Sequence, residues 1–235
     1  MSIDTAFILA AGKGTRMAPL TDIVPKPLVK LNGRALLDYV FDHLKDAGVT
    51  KAVVNSHHHA GVLRKYLAGV QGIEIMETHE LVLLETGGGL QNAASYLGDE
   101  PFFMINGDAF WTDGPSGCAL KRLEDFFDDE RMDILLLLIP VERMILTEGV
   151  GDYDLLPDGQ IRRNKAKAGT HMFTGIRIVH PRILSGMEEG IYSFLKQMDA
   201  AEQAGRLYGL VHDGEWHHIS TPDDLKRVGN ACRDA

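Results

Sequence analysis

The 235-residue sequence predicts an α/β fold with a mostly parallel sheet, and two observations carry that prediction. First, several runs of strand length are continuously apolar, as at 6–10 and 134–139, which is typical of strands covered on both faces. Second, apolar residues recur at helical spacing between such runs, as from Leu36 to Leu44. Alternation of strands and helices is the pattern of an α/β protein.

The elements follow one another regularly along the chain. The predicted strands are 6–10, 52–55, 73–75, 102–105 and 134–139. The predicted helices are one with apolar positions 36–44 that ends near Gly48, one that follows the glycines 87–89 and runs through Tyr96, and one capped by Thr221 with Pro222 and Asp224 in its first turn. Together they predict a Rossmann-like three-layer sandwich around a mostly parallel mixed sheet.

A hairpin interrupts this alternation in the second half of the chain. Residues 153–155 and 160–162 flank a Pro-Asp-Gly tripeptide at 157–159, whose residue types favour a tight turn. The hairpin predicts a small β subregion, roughly 150–180, beside the main sheet. We expect residues 1–235 to form a single domain that includes this subregion.

Charge and cysteine content limit the compartments and partners that are expected for this protein. The net charge of −9, from 24 basic and 33 acidic residues, argues against nucleic-acid or anionic-membrane partners, since both normally require a basic face. Two cysteines are too few for a disulfide framework, and no apolar run is long enough to span a bilayer. We therefore expect a cytoplasmic protein with no nucleic-acid or membrane partner, and a nucleotide ligand stays compatible with this charge. Composition carries no prediction of its oligomeric state.

The first predicted strand runs directly into a glycine-rich turn. Gly12 and Gly14 lack a Cβ, so the chain can turn sharply there and present N–H groups to anionic oxygens. Arg16 adds a fork of donors suited to phosphate. The spacing fits neither a dinucleotide-binding turn, because Met17 stands where its third glycine belongs, nor a Walker A loop. The turn therefore predicts a phosphate-binding loop of another kind.

Two further side chains extend this candidate site. Lys26 lies between two prolines, which restrict the backbone and suit a cation held in a fixed place. Asp108 comes just after the predicted strand 102–105, and ligands gather at the carboxyl edge of an open α/β sheet. A carboxylate at that edge is well placed to hold Mg²⁺ through oxygen.

These motifs and others occur in the order of one enzyme family. They are Gly-x-Gly-x-Arg at 12–16, Pro-Leu-Thr at 19–21, Pro-Lys-Pro-Leu at 25–28, Glu-Thr-Gly-Gly-Gly at 85–89, Asn-Gly-Asp at 106–108, Phe-Thr-Gly-Ile at 173–176, and Trp216. The set resembles the sugar-nucleotidyltransferases, also called nucleotide-sugar pyrophosphorylases, over nearly the whole chain. Its spacing looks most like that of the bacterial N-acetylmuramate-1-phosphate uridylyltransferases, with mannose-1-phosphate guanylyltransferases close behind.

The resemblance implies a reaction. A sugar 1-phosphate would attack the α-phosphorus of a nucleoside triphosphate and give an NDP-sugar and pyrophosphate. UTP with N-acetylmuramate 1-phosphate is the leading pair, which implies a role in cell-wall recycling, and GTP with mannose 1-phosphate is the alternative. In this reaction Arg16 would take the departing β and γ phosphates, Lys26 the α-phosphate, and Asp108 the Mg²⁺ ion.

The resemblance also implies which residues bind the two substrates. The expected nucleotide-binding residues are Leu9, Ala11, Gly12, Gly14, Thr15, Gly88 and Asn106. The expected sugar-binding residues are Glu85, Gly87, Thr174 and Gly175. A structural role in the first turn of a helix is compatible with the assignments of Gly87 and Gly88. Lys165 and Lys167 are further candidates for the sugar phosphate, although solvated surface lysines explain them better.

One position departs from the family pattern. Relatives usually carry a metal-binding aspartate two residues after the late tryptophan, and here His218 replaces it while Ser220 replaces a glycine. Imidazole is a poor ligand for Mg²⁺ and suits softer ions such as Mn²⁺. Three hypotheses follow: Asp108 and the phosphates hold Mg²⁺ alone, His218 joins Asp108 as a ligand and favours Mn²⁺ or Co²⁺, or catalysis is impaired. We favour the first.

Two other functions stay open at this point. Replacement of the aspartate by His218 allows a regulatory protein that binds nucleotide sugars without turnover, although Arg16, Lys26 and Asp108 are all retained. A cytidylyltransferase acting on a phosphorylated alcohol such as phosphocholine is the other. The long segment after residue 133, with its hairpin, favours a sugar substrate over this second alternative.

Overall fold

The structure, a computed structural model, describes residues 2–232 and is built on a nine-stranded mixed sheet. The strands are β1 (Thr5–Leu9), β2 (Lys30–Leu31), β3 (Arg34–Ala35), β4 (Lys51–Ser56), β5 (Glu74–His79), β6 (Phe102–Asn106), β7 (Ile134–Pro140), β8 (Tyr153–Leu155), β9 (Ile161–Arg163), β10 (His171–Val179) and β11 (Leu207–Val211), of which β2 and β3 form a separate pair. The helices are α1 (Leu36–Asp46), α2 (Ala60–Leu67), α3 (Glu85–Ala93), α4 (Ala119–Phe126), α5 (Leu195–Gln203) and α6 (Pro222–Ala231). In this described part of the chain, no helix has the length and apolar character needed to cross a membrane.

The main path of the sheet runs in the order β11–β7–β10–β6–β1–β4–β5. β1 pairs in parallel with β4 and β6, β4 with β5, and β7 with β11. Along this path β10 is antiparallel to both of its neighbours, β6 and β7. This is the mostly parallel mixed sheet that the sequence predicts, and the fold class is confirmed.

Helices cover both faces of the sheet. Because side chains alternate along a strand, Ala6 and Ile8 of β1 pack in one apolar cluster with α1, α2 and α4, whereas Phe7 packs in another with α3 and α5. All three side chains are fully buried. Removal of apolar surface from water stabilises the fold by about 25 cal/mol per Å². Burial on both faces explains why β1 has no polar alternation.

The hairpin and the last helix form as predicted, and some strands differ from expectation. β8 and β9 pair antiparallel around the predicted turn. α6 begins at Pro222, and the Thr221 hydroxyl accepts a hydrogen bond from the Asp224 amide at 3.2 Å. β5 extends to His79, well beyond the predicted 73–75. Sequence analysis predicts neither β10 nor β11, since neither combines a long apolar run with clear turn signals at both ends.

The carboxyl ends of three parallel strands meet at one edge of the sheet. Leu9 ends β1 and pairs in register with Asn106, which ends β6. Asn55 lies one residue before the end of β4, on the other side of β1. Ligands bind outside the carboxyl ends of the strands in open α/β sheets, so this edge is where the site is expected.

Candidate functional site

A cleft of about 500 Å³ opens at this edge of the sheet. The predicted site residues that line it are Leu9, Ala11, Gly12, Gly14, Thr15, Arg16, Lys26, Glu85, Asn106 and Asp108. The strand ends, the glycine-rich turn and the Pro-Lys-Pro segment thus enclose a single cavity. A volume in this range suits a small-molecule ligand.

The glycine-rich turn packs tightly against the Pro-Lys-Pro segment. Gly14 has a φ of +61°, and a Cβ built on it would lie 2.9 Å from Cβ of Lys26. Both observations require glycine at this position. Thr21 closes the loop by donating its hydroxyl hydrogen to the Gly14 carbonyl at 3.0 Å. The backbone amides of the turn are therefore held at the mouth of the cleft.

Two histidines brace the same loop from the end of β4. The carbonyl oxygen of Thr21 lies 3.1 Å from Nε2 of His58 and 3.2 Å from Nε2 of His59. The His58 amide also donates to the Ala11 carbonyl at 3.4 Å. The histidine run after β4 therefore ties the glycine-rich turn to the sheet.

Lys26 and Asp108 form an ion pair inside the cleft. Nζ of Lys26 lies 2.5 Å from Oδ2 of Asp108, and the two side chains are 14 % and 28 % exposed. Lys26 lies in a 3₁₀ turn over 26–28, and Asp108 follows the end of β6. The two charges neutralise each other, so a bound anion would compete for Lys26.

Arg16 also lines the cleft and is exposed. Met17 beside it is fully buried and anchors their short 3₁₀ turn. The guanidinium therefore faces solvent at the mouth of the cleft. Lys13 also lines the cleft and adds a second cation to the loop. An electropositive entrance of this kind attracts polyphosphates.

A buried polar network fixes the floor of the cleft. Oδ1 of Asn55 accepts the Ala10 amide at 2.6 Å, and its Nδ2 donates to Oε1 of Glu80 at 2.7 Å. Oε2 of Glu80 accepts the Leu84 amide at 2.9 Å, and Glu80 is 1 % exposed. The network joins the ends of β1 and β4 to the turn before α3. Sequence reasoning missed this network. Asn55 could have been recognised as a candidate, because it is an amide at the end of an apolar strand, whereas nothing in the sequence around Glu80 indicates its role.

Gly87 and Gly88 lie in the first turn of α3, under the segment 190–192, and neither lines the cleft. Their amides donate to the Tyr192 carbonyl at 2.8 and 3.2 Å. A Cβ on Gly88 would lie 1.9 Å from the carbonyl oxygen of Gly190. Close chain packing therefore explains glycine at both positions. Glu85, in contrast, does line the cleft, with a φ of +62°.

Thr174 and Gly175 lie in an irregular part of β10, behind the cleft wall. The Thr174 hydroxyl is buried and donates to the Leu137 carbonyl at 2.8 Å. Gly175 has a φ of +83°, and a Cβ on it would lie 2.6 Å from Nδ2 of Asn106. The glycine thus lets β10 approach the end of β6 closely. Neither residue is brought into the cleft lining.

His218 is half-buried, and its amide donates to the Thr147 hydroxyl at 3.0 Å. Burial lowers the pKa of His218, and the nearby charges of Lys26 and Arg16 lower it further against the opposing effect of Asp108. The imidazole is therefore neutral at pH 7 and shares the electrostatic environment of the cleft cations. It does not line the cleft itself.

Ser220, which does line the cleft, is held by a buried carboxylate. Its hydroxyl and its amide both lie 3.1 Å from Oδ2 of Asp224. Burial raises the pKa of Asp224, but hydrogen bonds from Thr221 and Ser220 outweigh that effect and lower it to about 2. The carboxylate is thus ionised: Oδ2 caps the start of α6, and Oδ1 accepts a hydrogen bond from Arg227 at 2.6 Å.

Comparison with known proteins agrees with this geometry. Residues 5–148 match the sequence profile of the family described as "Nucleotidyl transferase". The chain is 34% identical over 223 residues to the N-acetylmuramate alpha-1-phosphate uridylyltransferase of Caulobacter vibrioides, covering 92% of this chain and 92% of that one. It is 32% identical over 230 residues to the protein of the same name from Neisseria meningitidis serogroup B, covering 95% of this chain and 96% of that one.

The fold recurs in solved structures. A UDP-glucose pyrophosphorylase complexed with UDP-glucose superimposes with a TM-score of 0.81 over 99% of both chains, at 16% identity. At that identity the likeness shows a common fold. The family profile and the two relatives cover the strand ends, the glycine-rich turn and the Lys26–Asp108 pair. The chain belongs to the nucleotidyltransferase family.

Proposed function

We propose that this protein transfers a nucleotidyl group from a nucleoside triphosphate to a sugar 1-phosphate, with UTP and N-acetylmuramate 1-phosphate as its substrates. One observation carries the reaction class: a glycine-rich turn, two cations and a carboxylate surround one cleft at the carboxyl edge of the sheet. The substrate pair is inferred from the names of the two relatives, which are similar over nearly their whole length. The reaction would serve cell-wall recycling in the cytoplasm.

The residues of the cleft suit this reaction because phosphoryl-type transfer depends mostly on positioning and on neutralising charge. An oxygen of the sugar phosphate forms a bond to the α-phosphorus, and the bond to the bridging oxygen of pyrophosphate breaks. Arg16 and the amides of the glycine turn hold the β and γ phosphates. Lys26 leaves Asp108 for the α-phosphate and stabilises the charge that develops there.

The donor set also suits a divalent cation. Within residues 2–232, no group of three or more His, Cys, Asp or Glu side chains could hold a metal ion by itself. Asp108, however, is partly exposed in the cleft, and Mg²⁺ is commonly held by one or two carboxylates together with substrate phosphates. Asp108 would hold Mg²⁺ here, and Mn²⁺ is possible with His218 as a second ligand. Such a cation, when bound, neutralises phosphate charge.

The sugar is proposed to lie towards Glu85 and the β subregion at 150–180. Glu85 lines the cleft at the start of α3. Thr174 and Gly175 are proposed to act there through the backbone, since the Thr174 hydroxyl is already bonded to Leu137. Gly87 and Gly88 would likewise act by shaping the turn before α3. The subregion and the main sheet are proposed to work as one domain.

Pyrophosphate release tests the proposal. With Mg²⁺ present, UTP, GTP, CTP, ATP and dTTP are each combined with N-acetylmuramate 1-phosphate, mannose 1-phosphate and glucose 1-phosphate. We expect release confined to UTP with the muramate. Release with GTP and mannose 1-phosphate would keep the reaction and replace the substrates. Silence in every combination, repeated with Mn²⁺, would contradict an enzyme and favour a nucleotide-sugar-binding regulatory protein.

His218→Asp tests how the cation is held. We expect Mg²⁺-dependent turnover to be kept or raised, because the change adds a hard oxygen ligand beside Lys26, Arg16 and Asp108. The measurement is kcat as a function of Mg²⁺ and Mn²⁺ concentration. The control variant is His79→Asp, because His79 is exposed and lies outside the cleft lining. A collapse of the Mg²⁺-dependent rate in His218→Asp alone would show that the imidazole is itself required.

A further inference from the structure

Arg177 is a buried cation that has no carboxylate partner within residues 2–232. It lies on β10 and is 3 % exposed. Its guanidinium carbon lies 4.9 Å from the ring centre of Phe173 and 5.1 Å from that of Phe194. Nη1 lies 3.9 Å from the sulfur of Met198. Burial lowers the pKa of Arg177 to about 9, so the group stays protonated at neutral pH.

Such a residue lowers stability. Burying a charge without an opposite charge is costly, and Nε of Arg177 also has no hydrogen-bond partner. The two aromatic rings stabilise the guanidinium by cation–π contacts, but neither they nor the thioether supplies an oxygen acceptor for its N–H groups. Contact with the rings therefore leaves the hydrogen-bonding capacity of the arginine to be explained by its other neighbours.

The hydrogen bond from Arg177 to an oxygen atom leads to the cleft. Nη2 lies 3.5 Å from Oδ1 of Asn106, the residue that ends β6 and lines the cleft. An arginine can only donate, so it fixes the amide of Asn106 with the oxygen turned inwards. Nδ2 lies next to Gly175, where the missing Cβ leaves space for it, and Asn106 itself lines the cleft. No acceptor for this NH₂ group is found among residues 2–232, which leaves it available to a ligand.

We propose that Arg177 is a positioning residue that holds the Asn106 amide so that its NH₂ group donates to an oxygen of the bound nucleoside. The inference rests on the proposed function. We favour the nucleoside over the phosphates as the ligand of Asn106 for two reasons. Asn106 pairs in register with Leu9, which is itself an expected nucleotide-binding residue. The cations that suit phosphate lie elsewhere, at the glycine-rich turn and at Lys26. Positive charge on Arg177 also polarises the amide and strengthens its donor.

A double-mutant cycle tests the proposal. Arg177→Met, Asn106→Ala and the double variant are compared with the wild type for KM and kcat with nucleotide, for nucleotide affinity by calorimetry, and for Tm. We expect Arg177→Met to raise KM and Kd for the nucleotide about tenfold, the scale of one hydrogen bond, with kcat changed less than twofold. The same change should raise Tm, because it removes an unpaired buried charge.

The coupling between the two sites is the decisive readout. If Arg177 acts through Asn106, Arg177→Met has no effect on KM in the Asn106→Ala background. Arg131→Met is the matched control, since Arg131 also stacks on an aromatic ring, that of Tyr208, at the exposed surface. It should leave KM unchanged. Arg177→Lys, which keeps the charge, should show a smaller rise in KM than Arg177→Met.

Three outcomes would overturn the inference. An unchanged KM in Arg177→Met would show that the arginine is only structural, and multiplied effects in the double variant would show that it acts independently of Asn106. If Arg177→Met does not fold, an unchanged nucleotide Kd in Arg177→Lys would likewise show that the arginine is only structural. If the wild type binds and turns over nucleotide and the variants give any of these results, only this inference is contradicted. A wild type that neither binds nor turns over any nucleotide contradicts the proposed function and the inference together.

Discussion

Asp108→Asn is expected to lower kcat for nucleotidyl transfer by about a thousandfold, the scale of losing one preorganised charge at a transition state. The amide keeps the shape of the side chain but loses the charge that would hold a cation. It also ends the ion pair with Lys26, now 2.5 Å away. The pair is partly exposed, so its loss should change stability by about 1 kcal/mol or less. Activity and stability should therefore separate.

The measurement is initial-rate pyrophosphate release together with thermal unfolding of the same preparations. Asp42→Asn is the control, because Asp42 pairs with Arg34 on the exposed surface of α1, outside the cleft lining. It should retain wild-type kcat. A loss of less than tenfold in Asp108→Asn would remove Asp108 from the proposed role and direct attention to His218.

Glu80→Ala is expected to lower the free energy of unfolding by about 3 kcal/mol. The change leaves Nδ2 of Asn55 and the Leu84 amide without their acceptor in a buried place. Asn55 is then free to turn away from the Ala10 amide, which begins the glycine-rich turn. We therefore also expect weaker nucleotide binding, although Glu80 does not line the cleft itself.

Urea unfolding measures the first effect, and KM for the nucleotide measures the second. Glu74→Ala is the matched control, since Glu74 is an exposed glutamate at the start of the same strand, β5. It should change stability by less than about 0.5 kcal/mol. A loss below 1 kcal/mol in Glu80→Ala would mean that water replaces the lost acceptor and that the network does not brace the site.

The sequence predicts those features of the molecule whose defining residues are neighbours in the chain. The strand 6–10, the turn after it and Asp108 behind the strand 102–105 are recognisable because apolar runs and the polar residues that end them are neighbours in the chain. The capping of α6 by Thr221 is predictable for the same reason. Parallel strands then bring those ends together without further information.

The parts that sequence reasoning misses depend on contacts between distant residues. Gly88 is a glycine because Gly190 passes close to its Cα, and nothing near residue 88 indicates that approach. Glu80 joins Asn55 across two parallel strands, and Arg177 reaches Asn106 across an antiparallel pair. Such partners become apparent only when the strand order is known.

The Lys26–Asp108 pair has a thermodynamic consequence for the order in which ligands arrive. Under the proposed function, a nucleotide phosphate that binds Lys26 would release the carboxylate, and a cation that binds Asp108 would release the ammonium. Each event removes the cost of the other, and linkage requires that the benefit be equal in both directions. The pair would therefore make nucleotide and cation cooperative ligands, so that both bind together, and its two charges would neutralise each other when neither ligand is bound.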